Sequence, residues 1–347
     1  STVQAAEPTV RAVESTVRAA ESTVRAAEPS VRAAESSVRA AESSIRAVES
    51  SIRAAEPSVR AAESSIRAAE LSWESRCRKN RASHCSVNGS GGAIAMMSNT
   101  QKLNIGIIGT GHIGTTLVRK LTRVGHAVRM ANSRGPETLA ELAEETGAQA
   151  VTAEEAVQGV DVVILSIPLN KLSLMKQLLA QLPSNVVVAD TSNYYPLRDG
   201  SIPALDSGGL TESEWVSEQI GHPVIKAWNN VLAGTFAEKG LPRGAEGRIA
   251  LSVAGDDPAA KQTVLSLVED TGFDAIDGGT LAESWRQQPG TPGYCTEQTS
   301  DELRSALAAA DRTRAPLVRD EMMKEVIARD YNVTNEDILR LNRSLSA

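Results

Sequence analysis

Leu103-Asn-Ile-Gly-Ile-Ile-Gly-Thr-Gly-His-Ile-Gly114 runs from an apolar strand through spaced glycines into a helix. Glycines stand at 109, 111 and 114, a spacing that marks a dinucleotide turn when a strand precedes it and a helix follows. Each glycine has a separate task. Gly109 permits the tight turn, Gly111 removes a side chain where a pyrophosphate would approach, and Gly114 lets helix and strand pack closely. Backbone N–H groups from Thr110 through His112 to Ile113 would then face the phosphates, helped by the helix dipole.

Reading outward, the helix expected over 112–124 carries Ile113, Leu117, Val118, Leu121 and Val124 on one side, the stripe needed to lie on a sheet. Ala127–Ala131 is the second strand and ends in Asn132-Ser133-Arg134. An acidic residue about 20 positions after the glycines would bond the ribose 2′-hydroxyl of NAD, whereas an arginine there suits the 2′-phosphate of NADP. The turn offers an amide, a hydroxyl and a guanidinium instead of a carboxylate, which implies NADP. Arg134 and Ser133 are the expected phosphate clamp. Asn132 would contact phosphate or ribose, and Thr138 would add a hydroxyl or cap the next helix.

Strands and helices continue to alternate. A helix from Pro136 to about Thr146 ends on Gly147, followed by a strand near Ala148–Val151 and a helix near Ala153–Val157. Asp161–Pro168 reads as a strand buried on both faces. A helix over about Leu169–Gln181 precedes strands at Asn185–Asp190 and Val224–Trp228. The segment 196–222 reads as a longer polar stretch. Arg248–Ala254, a helix over 257–271 and Phe273–Asp277 extend or cap the sheet, and the last 65 residues read as mainly helical, with Thr299–Asp311, Pro316–Arg329 and a helix starting at Thr334. The expected fold is α/β: a doubly wound, Rossmann-type parallel sheet with a small, mainly helical C-terminal region.

In such sheets ligands bind at the carboxyl ends of the strands. Ser166, Ile167 and Pro168 end the fourth strand there, and Lys171 either reaches the cofactor or is plain surface charge. Asp190–Asn193 and Lys226–Asn230 end on the same edge; Asn229 and Asn230 are candidates for holding an amide or ribose, while Asp190 would serve there or cap its loop. No Ser-His-Asp or Cys-His order stands out, so no catalytic side chain is assigned. Hydride transfer needs none if the acceptor manages its own protons.

Residues 1–70 are ten near-copies of a seven-residue unit, with Glu from 7 to 70 and Arg from 11 to 67. They lack Gly, Cys, Leu and aromatic residues, so they cannot build a globular core. Val or Ile and an Ala fall at heptad positions a and d, which would make a coiled coil and a homodimer. Pro8, Pro29 and Pro57 oppose that, each costing about 3 kcal/mol inside a helix. The favoured reading is a translated tandem repeat, disordered or partly helical, ahead of a protein that begins at Met96 or Met97. The domain division is 1–70 repeat tail, 71–100 linker, 101–240 NADP-binding domain and 241–347 capping region on the substrate side.

Of the net charge of −7, the repeats hold −1 (ten Glu, nine Arg) and residues 71–97 hold +3, leaving −9 for 98–347. An acidic domain in a chain with only 3% aromatic residues argues against a nucleic-acid platform. No apolar run reaches the roughly 18 residues of a membrane span. Cys77, Cys85 and Cys295 make an odd number. His84 beside Cys85 lacks the paired spacing of a zinc site, and a reduced, cytoplasmic setting is expected.

Ile105–Gly114, Asn132-Ser133-Arg134, Leu165-Ser-Ile-Pro168 and Val224-Ile-Lys-Ala-Trp-Asn229 resemble the coenzyme F-420-dependent NADP oxidoreductases over about 103 to 283. The resemblance implies reversible hydride transfer between NADPH and an 8-hydroxy-5-deazaflavin co-substrate. It implies that Thr110–Ile113 and Ser133-Arg134 hold NADP, with Ile167 and Lys171 at the nicotinamide end. The partner is then a small-molecule hydride acceptor or donor. An imine or hydroxyacid reductase and a non-catalytic NADPH sensor or scaffold stay open beside it.

Overall fold

The computed structural model describes residues 102–346. The readings of the seven-residue repeats and of the 71–100 linker lie outside the described residues. Asn104–Ile108 (β1) pairs in parallel with Ala127–Ala131 (β2) on one side and Val162–Leu165 (β4) on the other. Ile107 sits level with both Met130 and Ile164, and all three are fully buried. Every residue of β4 is fully buried, as a central strand covered on both faces requires. Burying each such side chain contributes roughly 1.5–3 kcal/mol.

Gln149–Ala150 (β3) adds to the outer side of β2, while Val187–Asp190 (β5) and Ile225–Lys226 (β6) continue beyond β4. The order β3-β2-β1-β4-β5-β6 is the doubly wound arrangement. Helix His112–Arg123 (α1) turns Leu117, Val118 and Leu121 onto one face of the sheet, where they meet Trp228, Phe236 and Phe273. Ile113 and Val124 at its ends are only partly buried. The other face is covered by the 3₁₀ segment Leu169–Met175 and by helix Glu212–Ile220.

Between these lie α2 (Ala140–Thr146, entered through a 3₁₀ turn at Pro136–Leu139), α3 (Ala153–Ala156), α4 (Lys176–Leu179), α5 (Pro196–Asp199) and α6 (Pro203–Asp206). The helix at Glu212–Ile220 is α7, followed by α8 at Ala233–Glu238. The polar stretch 196–222, to which the sequence reading assigned no element, holds three helices. Its signal was present. Thr211 Oγ1 accepts from Glu214 N at 3.2 Å, Thr211 N donates to the Glu214 carboxylate at 2.8 Å, and Gly221 ends the helix in a left-handed conformation.

Ala250–Val253 (β7), Pro258–Asp270 (α9) and Asp274–Asp277 (β8) form a separate two-stranded parallel sheet. It joins β6 through one antiparallel bridge, Lys226 to Ala254, with bonds of 2.8 and 3.0 Å. The C-terminal region is helical as expected: α10 (Ser300–Ala309), α11 (Ala315–Ala328) and α12 (Asn335–Ser346), preceded by a 3₁₀ segment at Leu281–Gln287. Strand β6 is shorter than the expected Val224–Trp228 because Trp228 takes a φ of 54°, a conformation that ends extended pairing.

Candidate functional site: a cleft at the glycine turn

A cleft of about 600 Å³ opens at the carboxyl ends of β1, β2 and β4, within the roughly 300–1,000 Å³ range of small-molecule sites. The glycine turn forms one wall. Gly109 has a φ of +100°, and a side chain there would overlap the Ser166 carbonyl. At Gly114 a Cβ would overlap the Gly109 carbonyl oxygen, so only glycine permits this approach of helix to strand. Gly111 faces open space. It caps α1 without a side-chain hydrogen bond, and the first turn carries no acidic residue. Such a helix start favours an anion through its free N–H groups and dipole.

The turn after β2 forms the second wall. Asn132 Nδ2 donates to Thr138 Oγ1 at 3.0 Å and to Thr110 Oγ1 at 3.3 Å, while its oxygen accepts from Arg134 N at 2.9 Å. One amide thus ties the glycine turn, the Ser133-Arg134 turn and the following helix start together. Arg134 is exposed. Among the described residues its guanidinium makes no ion pair, unlike Arg119, which forms a two-bond pair with Glu145 at 2.7 Å. Thr138 spends its proton on Gly135 O at 2.8 Å, so its hydroxyl shapes this turn.

Ser166, Ile167, Pro168 and Lys171 form the third wall. The resemblance puts Ile167 and Lys171 at the nicotinamide end; the structure sets them across the same cleft from Asn132–Arg134. Gly109, Thr110, Gly111, Asn132, Ser133 and Arg134 line it too. His112, Ile113 and Gly114 are not among the residues that line the cleft. Leu174 and Met175, which sequence reasoning missed, complete an apolar side. Leu174 is 69% exposed, a clue available only once its neighbours are known.

Asn229 is not brought to the cleft. It is 2% exposed. Its Nδ2 donates to Asn193 Oδ1 at 3.1 Å and Gln287 O at 2.8 Å, and its Oδ1 accepts from Gln287 Nε2 at 2.8 Å. Asn230 is likewise buried, donating to Gly293 O at 3.2 Å. Other reactive residue types are structural. His126 accepts from Leu103 N through Nδ1 at 3.1 Å, leaving Nε2–H for Asp270 at 3.1 Å. Cys295 is buried, and burial pushes its thiol well up from the ordinary value, which makes it inert as a nucleophile. Among the described residues no helix is long and apolar enough to cross a membrane.

Comparison with known proteins fits this geometry. The family model for "NADP oxidoreductase coenzyme F420-dependent" matches residues 104–194, the span from β1 through β5. The Escherichia coli K12 protein YjhV is 41% identical over 106 residues, which is 30% of this chain and 77% of YjhV. Rat metalloreductase STEAP3 is 29% identical over 181 residues, covering 52% of this chain and 34% of STEAP3, so the match spans about a third of that protein. The structure of the Sinorhizobium meliloti protein SMa0349 aligns at 32% identity with a TM-score of 0.44, over 53% of this chain and 87% of the other.

Proposed function

The chain belongs to the coenzyme F420-dependent NADP oxidoreductase family, and from that premise we propose that it transfers a hydride between NADPH and a deazaflavin-like or flavin-like acceptor. The observation that carries this reading is Arg134, without an ion pair among the described residues, beside Ser133 at the end of β2 in a cleft that the glycine turn also lines and no carboxylate does. NADPH, when bound, supplies the hydride. The protein binds, orients and excludes water.

The residues fit that group. Gly111 leaves room for a pyrophosphate, since a Cβ there would meet nothing. Arg134 and the Ser133 hydroxyl take the 2′-phosphate, where charge-assisted hydrogen bonds are strong. Asn132 holds their turn in place through its bond to Arg134 N. Lys171, on the opposite wall, adds a second cation to the same half of the nucleotide. Ile167, Leu174 and Met175 supply the apolar surface against which the adenine lies, which departs from the nicotinamide end that the resemblance implies for Ile167 and Lys171.

Titration of the full chain with NADPH and NADH tests the reading, followed by NADPH oxidation with a panel of deazaflavin, flavin, quinone and imine acceptors. NADPH is expected to bind tighter, with turnover on the deazaflavin or flavin. Arg134→Ala is expected to weaken NADPH about 10- to 100-fold, as loss of a charge-assisted pair implies, while leaving NADH nearly unchanged. Equal losses for both would discredit the clamp. Turnover on imines alone would move the protein to the imine reductases.

A further inference from the structure

Three charged side chains lie completely inside the protein at the ends of β5 and β6. Asp190 and Lys226 are 0% exposed and Glu212 is 4% exposed. The Lys226 ammonium is 3.1 Å from Glu212 Oε2 and 3.5 Å from Asp190 Oδ2. Its shortest bond goes to the carbonyl oxygen of Ser192, at 2.6 Å. Asp190 in turn accepts from Ser213 Oγ at 2.6 Å and from Ser192 N at 2.9 Å. The segment Thr191–Asn193 is therefore gripped from beneath at both its N–H and its C=O.

Burying charges costs several kcal/mol per ion, and such clusters are weak stabilisers; the registry they fix is their best-attested use. What is fixed here is a turn beside the cleft. Thr191 N and Thr191 Oγ1 both donate to Leu165 O at 3.2 Å, and the next residue, Ser166, lines the cleft. The same turn is braced on its far side, where Asn193 Nδ2 donates to Asn229 O at 3.0 Å and Asn229 is bonded to Gln287. Among the described residues Ser192 Oγ is buried without a hydrogen-bond partner.

The cleft walls come from β1, β2 and β4, which accounts for one half of a dinucleotide. The other half must extend over the next strands in the sheet order, β5 and β6. We propose that the Asp190–Lys226–Glu212 cluster holds the Thr191–Asn193 turn as the shelf for the nicotinamide half, with Lys226 as its positioning residue. This rests on the NADP reading above. Lys226 touches no reacting atom. It acts through the Ser192 carbonyl.

The test compares NADPH with adenosine 2′,5′-bisphosphate, which keeps the adenosine and 2′-phosphate but lacks the nicotinamide half. Both are titrated calorimetrically against the full chain. The wild type is expected to bind NADPH the more tightly. Lys226→Met is expected to weaken NADPH about tenfold while the bisphosphate changes less than about twofold, closing the gap. Ser213→Ala, which removes only the bond to Asp190, is expected to move the ratio the same way by a smaller factor. It decides the matter if Lys226→Met shows no cooperative melting. Glu212→Gln keeps an oxygen for the ammonium and is expected to preserve the gap. A Lys226→Met chain that folds and loses both ligands by one factor, or keeps the gap, overturns the shelf, as does an unchanged ratio in Ser213→Ala. A wild type that binds both ligands equally also overturns the shelf alone. A wild type that binds neither overturns the nucleotide reading and the shelf with it.

Discussion

Asn132 carries more of the cleft than its place in the sequence suggests. Its hydrogen bonds join Thr110, Thr138 and the Arg134 backbone, so Asn132→Ala should loosen both nucleotide-facing turns at once. About 1–3 kcal/mol of NADPH affinity is expected to go, readable by calorimetry, with the melting temperature changed less than the affinity. Gly114→Ala should act the other way round. The added methyl would overlap the Gly109 carbonyl, and overpacking of this kind costs about 1–3 kcal/mol of stability, measured by denaturant unfolding. At this scale the sequence was legible for where the glycines and Ser133-Arg134 stand, because their placement follows from the local chain. It was not legible for Asn229, whose amide is committed to Gln287, 58 positions later. Nothing near Asn229 in sequence announces that partner.

The β1–α1–β2 unit matched its expected boundaries because turn chemistry and periodicity agree there; β2 is Ala127–Ala131 in both. Helix α7 escaped because its first turn is polar yet buried. Glu212 and Ser213 are inside only through Lys226, 14 positions away, and Asp190, 23 positions away. A periodicity argument counts such residues as solvent-facing. Thr211→Ala should remove the reciprocal cap of α7 and cost about 1 kcal/mol, seen as a lower denaturant midpoint.

The caps of the 3₁₀ segment at 281–287 and of α10 and α12 add a pH dependence. Backbone N–H donation from Thr280, Thr299 and the side chain of Thr334 holds the carboxyls of Glu283, Glu302 and Asp337 below their ordinary values. A depressed folded value means that these carboxylates support the fold above the ordinary range, about pH 4. That support fades as the pH falls through the lower folded values. Amide hydrogen exchange in α10 and α12 should therefore quicken below about pH 4 relative to β1 and β4; uniform exchange across both regions would remove the caps from the explanation.

The described residues, 102–346, fall within one compact unit, and every wall of the cleft lies within it. A chain starting at Met97 should therefore keep the NADPH affinity of the full chain within about twofold, and a larger loss would assign a role to the repeats. The sheet itself has a consequence for how this molecule shares a crowded solution. Its outer strand on one flank is only two residues long, and on the opposite flank β6 already spends its bonds on a chain running the reverse way. Neither flank presents a long row of vacant amides on which a stranger's extended peptide could be templated. Fibril growth through this sheet is disfavoured before any surface charge is considered.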